Sequence, residues 1–117
     1  MRQMFKGKTL SLGLIDNGFA EINFNNQGES VNKFNAETLA ELRKAVDTLK
    51  AQSDIRGLLL TSAKSVFVVG ADITEFKDMF SATKEEFVAG VQAINDLFSE
   101  IEDLSYPSVA AINGFAL

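Results

Sequence analysis

Residues 57–62 read Gly57-Leu58-Leu59-Leu60-Thr61-Ser62, a short apolar run that follows the turn-forming pair Ser53-Asp54. Such a run predicts a strand buried on both faces. Downstream, Thr83-Lys84-Glu85-Glu86 has the capping-box pattern that starts a helix. Phe87, Val91, Ile94, Leu97, Phe98 and Ile101 recur behind it at helical spacing and predict its apolar stripe. Pro107 ends any helical continuation, and Ser108-Val109-Ala110-Ala111-Ile112 predicts a second buried strand before an Asn113-Gly114 turn. Strand, helix, strand predicts a right-handed parallel crossover.

Upstream, Asn35 can cap a helix whose apolar residues Leu39, Leu42, Ala45, Val46 and Leu49 recur at helical spacing, running to about Ala51. Asn25 to Lys33 is a polar loop. Before it, Thr9 to Leu14 and Phe19 to Phe24 alternate around Asp16-Asn17-Gly18, a hairpin signature, so the chain is expected to open with two antiparallel strands. The pattern as a whole is α/β.

Composition narrows the chemistry. The 117 residues, 46% apolar and 23% charged, suit one globular unit, and a chain of this length can bury a core without covalent staples. Cys and His are both absent, so a Ser-His or Cys-His triad is excluded and acid–base work falls to Asp, Glu, Lys or Tyr. There is neither a signal-peptide run nor a stretch of about twenty apolar residues, which predicts a soluble, cytoplasmic protein. Net charge is −5: up to Lys84 there are 11 bases and 10 acids, and beyond it six acids and no base. That distribution argues against nucleic acid as a partner. The acidic final third fits a solvated helix face, or a surface for a basic partner. Phe115-Ala116-Leu117 is apolar and follows a predicted strand through a turn, so the chain is expected to be a fragment of a longer protein.

The chemistry-bearing stretch is Ala63-Lys64-Ser65-Val66-Phe67-Val68-Val69-Gly70-Ala71-Asp72-Ile73-Thr74-Glu75-Phe76. An apolar, strand-like run ends at Gly70, and Asp72 begins a short helix whose first N–H groups lack partners. The Ala71 amide then lies where a developing oxyanion can be stabilised. The same pattern is met if Asp72 is only an N-cap and Gly70 only a turn residue. Asp72, Glu75 and Asp78 repeat at helical spacing, which fits a metal face or, more simply, acids at a helix start. Phe76, Met79, Phe80, Phe87 and Phe98 fit an acyl tunnel, or core and interface. Tyr106 is expected to be a packing residue at the strand entry.

Phe67-Val68-Val69-Gly70-Ala71-Asp72-Ile73 resembles the oxyanion loop of the crotonase (enoyl-CoA hydratase/isomerase) superfamily. Val109-Ala110-Ala111-Ile112-Asn113-Gly114-Phe115-Ala116-Leu117 resembles the strand and turn leading to that family's glycine-rich second oxyanion segment. Glu29-Ser30-Val31-Asn32-Lys33-Phe34-Asn35 and the amphipathic helix after it, together with Gly70-Ala71-Asp72-Ile73-Thr74-Glu75-Phe76, resemble in particular the start of that family's bacterial multifunctional members, and the resemblance covers nearly the whole chain. It implies the N-terminal part of a ββα-spiral (ClpP/crotonase-like) fold, a single partial domain over residues 1–117 that stops before the glycine-rich segment.

By the same resemblance, Ala71 supplies the first backbone oxyanion donor. Ser30, Val31, Val69, Gly70, Asp72 and Ile73 line the coenzyme A cradle, with Lys33 and Lys64 as candidate phosphate partners or ordinary solvated side chains. The second donor and the catalytic glutamates of the family lie after the position of Leu117, so the 117 residues alone are expected to be inactive. The implied reaction is hydration of trans-2-enoyl-CoA in fatty-acid β-oxidation. The implied parent also carries isomerase activity and an NAD-dependent 3-hydroxyacyl-CoA dehydrogenase region; no cofactor or metal is expected in these residues, where G-x-G-x-x-G is absent. Such a parent is oligomeric, with a thiolase β-subunit as a candidate partner, and a fragment with exposed edges is expected to self-associate. A sibling reaction on the same fold, isomerase or thioester hydrolase, and a noncatalytic CoA-binding or assembly module are the alternatives.

Overall fold

The computed structural model describes residues 2–117. Among them, five strands form one sheet in the order in which they occur: β1 (Arg2–Lys6), β2 (Leu10–Ile15), β3 (Phe19–Phe24), β4 (Gly57–Ser62) and β5 (Ser108–Ala110). The first three pair antiparallel, then β3 pairs parallel with β4 and β4 with β5. Helix α1 (Ala36–Lys50) makes the first crossover; α2 (Phe76–Phe80) and α3 (Lys84–Glu102) lie in the second.

The opening is three strands rather than two. β1 escapes a period-of-two reading because its register shifts between Gln3 and Phe5, which puts the neighbouring Met4 and Phe5 both half-buried. The β2–β3 turn is where the residues require it, with Asn17 at φ 70° and Gly18 at φ 84°.

Asn35 caps α1 by accepting from the Thr38 N–H at 2.8 Å. Leu42, Ala45, Val46 and Leu49 of α1 are buried with Leu10 and Leu12 of β2, Ala20, Ile22 and Phe24 of β3, and Leu58 of β4. Glu41 is buried on the same helix, and its carboxylate accepts from the Lys8 N–H at 3.1 Å and the Thr9 N–H at 3.0 Å, closing the β1–β2 turn from below.

The two later strands differ from their expected burial. In β4, Gly57 and Leu58 are buried, whereas Leu59 to Ser62 are half-buried, because α1 covers only one face of the sheet. β5 is three residues long, not five, and exposed: it pairs with β4 alone, and Val109 is 58% and Ile112 61% accessible. The α3 stripe is likewise only partly used. Leu97 and Ile101 enter the core, while Phe87, Val91, Ile94 and Phe98 stay exposed, and α3 is tied to α1 by ion pairs near its C-terminal end. There Glu100 pairs with Arg43 and Lys50, and Arg43 also with Asp47 at 2.8 Å. This holds the Glu100 carboxyl down at about 2, chiefly through Arg43 and then Lys50, and raises the Arg43 guanidinium above its ordinary value, chiefly through Glu100. Tyr106 packs against the core as expected, its hydroxyl without a partner among the described residues, and burial raises its pKa. Among the described residues, no helix is long and apolar enough to cross a membrane.

Candidate functional site

The stretch from Phe67 to Ala71 is not a strand, yet it is held on two sides by backbone. On one side the polar loop before α1 runs beside it: Val69 N–H donates to Asn32 C=O and Phe34 N–H to Gly70 C=O, both at 2.9 Å, with a parallel bridge between Phe34 and Ala71. On the other side Phe67 N–H donates to Phe115 C=O at 2.9 Å, and Leu117 N–H to Val68 C=O at 3.1 Å. The two motifs quoted from the sequence, about forty-five residues apart, are thus neighbours. Asn113 strengthens the second seam, its Nδ2 donating to Lys64 C=O at 2.8 Å. A Cβ added to Gly114 would sit 2.6 Å from Ser65 C=O, so only glycine allows that approach.

Gly70 has φ 90°, and a Cβ there would lie 3.0 Å from Leu117 C=O. A non-glycine residue is therefore disfavoured twice, by its own backbone and by its neighbour. The positive φ turns the chain into Ala71. In a parallel bridge only one of the two paired residues directs its own N–H at the other strand. Here that residue is Phe34, which donates to Gly70 C=O, so the Ala71 amide faces away from Phe34, and among the described residues it donates no hydrogen bond.

Asp72 then caps a 3₁₀ turn, Ile73–Glu75. Its carboxylate accepts from the Thr74 hydroxyl at 2.7 Å and the Thr74 N–H at 3.0 Å. These bonds, with Lys33 adding its charge, hold the Asp72 carboxyl below its ordinary range. Glu75 reaches back to α1, where its Oε1 accepts from the Ala36 N–H at 3.1 Å. With Asn35 on Thr38, two of the unpaired N–H groups at the start of α1 are satisfied, one of them by this loop. Asp72 and Glu75 are thus spent on backbone and hydroxyl donors. Among the described residues no three His, Cys, Asp or Glu side chains approach closely enough to hold a metal.

The remaining candidates fall into two groups. Exposed Ser30 and half-buried Val31 and Lys33 belong to the loop that runs beside Val69 and Gly70, and Ile73 is 76% exposed just beyond it. Lys64 lies on the opposite seam, its backbone tied to Ser62 and Asn113. Neither lysine ammonium forms an ion pair among the described residues. The aromatic candidates are not core: Phe76, Met79, Phe80 and Phe87 surround an open hollow of about 240 Å³, and Phe98 stacks edge-on against Phe34 at 5.4 Å. A larger groove of about 370 Å³ lies between α1, α2 and α3, lined by Leu39, Met79, Phe87, Val91 and Glu75 among others.

Two residues that organise the site gave no signal of their own. Asn32 looked like one more polar residue in a polar loop, yet it is 1% exposed. Its Oδ1 accepts from Asn26 N–H, and its Nδ2 donates to Ser62 Oγ and Phe67 C=O. Ser62 in turn donates to Val66 C=O at 2.6 Å. Only the topology shows that these groups meet.

The chain is 52% identical over 114 residues to the fatty acid oxidation complex subunit alpha of Pseudomonas aeruginosa, a match covering 97% of this chain but 16% of that protein. Among solved structures, an enoyl-CoA hydratase from Bacillus anthracis superposes with a TM-score of 0.74 at 26% identity, over 92% of this chain and 41% of the other. An enoyl-CoA hydratase from Shewanella pealeana gives 0.79 at 19% identity, over 89% and 38%, a likeness of fold alone. The architecture is accordingly the N-terminal part of a crotonase fold. Residues 14–117, which contain both seams around Gly70, match the family model for enoyl-CoA hydratase/isomerase, and the chain belongs to that family.

Proposed function

We propose that residues 1–117 are one partial domain that supplies the first oxyanion donor and the coenzyme A cradle of an enzyme adding water to trans-2-enoyl-CoA in fatty-acid β-oxidation. The observation that carries this reading is the seam between Val68 and Leu117, which brings the lead-in to the second oxyanion segment beside Gly70 and the free Ala71 N–H. Hydration moves negative charge onto the thioester oxygen, and an amide already aimed at that oxygen favours the charged state over the ground state. Ala71 N–H is that amide. Ser30, Val31, Val69, Gly70, Asp72 and Ile73 line the cradle, with Lys33 and Lys64 toward the phosphates.

The acid–base glutamates and the second donor lie outside these residues, so the chain alone does not turn over. The 52% identity to a fatty acid oxidation complex subunit supports a parent that also carries isomerase and 3-hydroxyacyl-CoA dehydrogenase activities. NAD, which accepts hydride in that last reaction, belongs to another region; no residue here is assigned to it. An oligomeric, cytoplasmic parent paired with a thiolase β-subunit completes the proposal, and the exposed β5 edge favours self-association of the isolated chain.

Loss of enoyl-thioester absorbance with crotonyl-CoA tests the reading, run on this chain and on the complete protein in parallel. Hydration by the complete protein alone is expected. Hydration by the 117 residues would overturn the placement of the glutamates, and inactivity of both would point to a sibling reaction or a noncatalytic module.

A further inference from the structure

We propose that Asn32 is the positioning residue for both halves of the oxyanion hole, acting through Phe67; the inference rests on the function proposed above. Its amide is the one side chain among the described residues that joins the end of β3, the loop before α1, the end of β4 and the oxyanion run. Oδ1 accepts from Asn26 N–H at 3.0 Å. Nδ2 donates to Ser62 Oγ and to Phe67 C=O, each at 2.9 Å, with a longer contact of 3.3 Å to Phe24 C=O. Two hydrogens thus serve two good acceptors and share a third.

The chemistry fixes the orientation. Turned over, the amide would set a donor against Asn26 N–H and an oxygen against two carbonyls. Asn32 also grips the same run by its backbone, accepting from Val69 N–H. Phe67 is the common point: its C=O takes the Asn32 amide, while its N–H donates to Phe115 C=O and begins the seam that carries Leu117. Moving Phe67 therefore moves Ala71 on one side and the approach to the second donor on the other. The buried amide costs its full desolvation unless all these bonds form together, which selects one arrangement of the loops.

The test uses the complete protein and a dialkylaminocinnamoyl-CoA, whose push–pull absorption moves to the red when its thioester oxygen is hydrogen-bonded. Wild type is expected to give the red shift; its absence would overturn the assignment of Ala71 itself, a separate failure. Asn32→Asp keeps the shape but presents an oxygen to Phe67 C=O. It and Asn32→Ala are expected to lose most of the shift and to lower kcat by about a hundredfold, the scale of an ångström-sized misplacement, with KM little changed. Leu49→Ala, a core truncation remote from these bonds, is expected to lower stability and keep the shift. If the Asn32 variants do not fold, Ser62→Ala carries the test, because it removes one Asn32 acceptor and the Val66 anchor; a partial loss of shift is expected. A full wild-type shift in any folded Asn32 variant, or in Ser62→Ala, overturns the proposal.

Discussion

The carboxylate of Glu41 fills the space in which a Cβ on Gly7 would have to lie. The clash is with a side chain, but not a free one: it is buried and committed to Lys8 N–H and Thr9 N–H. Gly7→Ala is expected to expel the carboxylate and leave the Thr9 N–H buried and unpaired, costing about 1–3 kcal/mol in a urea titration. Glu41→Ala should cost a similar amount, and the double variant little more than either, because both remove the same bonds.

Gly70→Ala is expected to destabilise the chain by about 1–2 kcal/mol from its positive φ alone. The added Cβ also presses on Leu117 C=O at 3.0 Å. Kinetics of the complete protein should therefore show a fall in kcat larger than the stability loss accounts for; an unchanged kcat would separate the Gly70–Leu117 approach from function.

Replacing the Ala71 amide by an ester, through semisynthesis of the complete protein, deletes that N–H and also makes Gly70 C=O, which accepts from Phe34 N–H, a weaker acceptor, so the stability of the ester variant is measured beside its kinetics. A fall of about 10²–10³ in kcat is expected, the usual effect of losing one oxyanion donor. An ester variant with wild-type kcat would remove Ala71 from the mechanism.

Glu100 gives a pH dependence with a definite sign. Its carboxyl falls from an ordinary 4.5 to about 2 in the folded chain, so the stability it contributes is complete above pH 4.5 and is lost as pH falls toward 2. Urea midpoints of wild type and Glu100→Gln should differ at about pH 6 and converge near about pH 2. A constant gap would mean that Glu100 acts by packing alone.

The sequence carries the elements whose cause is local. Asn35, Thr83 and Asp72 are caps because their side-chain oxygens reach N–H groups two or three residues on, and all three do so in the structure. The loop from Phe67 to Ile73 was singled out by likeness to a family pattern, not by its residues' periodicity. β1 was hidden by a one-residue bulge that breaks alternation. Asn32 and Glu75 were hidden for another reason: the partners that tie them to other elements, Ser62 and Phe67 for Asn32 and Ala36 for Glu75, are 30 to 39 residues away, and nothing in a polar loop or an acid repeat says which distant group will arrive. Burial of β5 and of the first half of α3 was overread, since an apolar residue announces a preference for cover but not what supplies it.

The strand order, identical to the order of synthesis, bears on how the molecule is made. Each strand from β2 onward needs only the strand before it as a template. Emerging from the ribosome, the chain can grow its sheet by accretion at one moving edge, with α1 sealing the first layer before β4 docks. Among the described residues, no early strand has to wait, unpaired and prone to misassociation, for a late one.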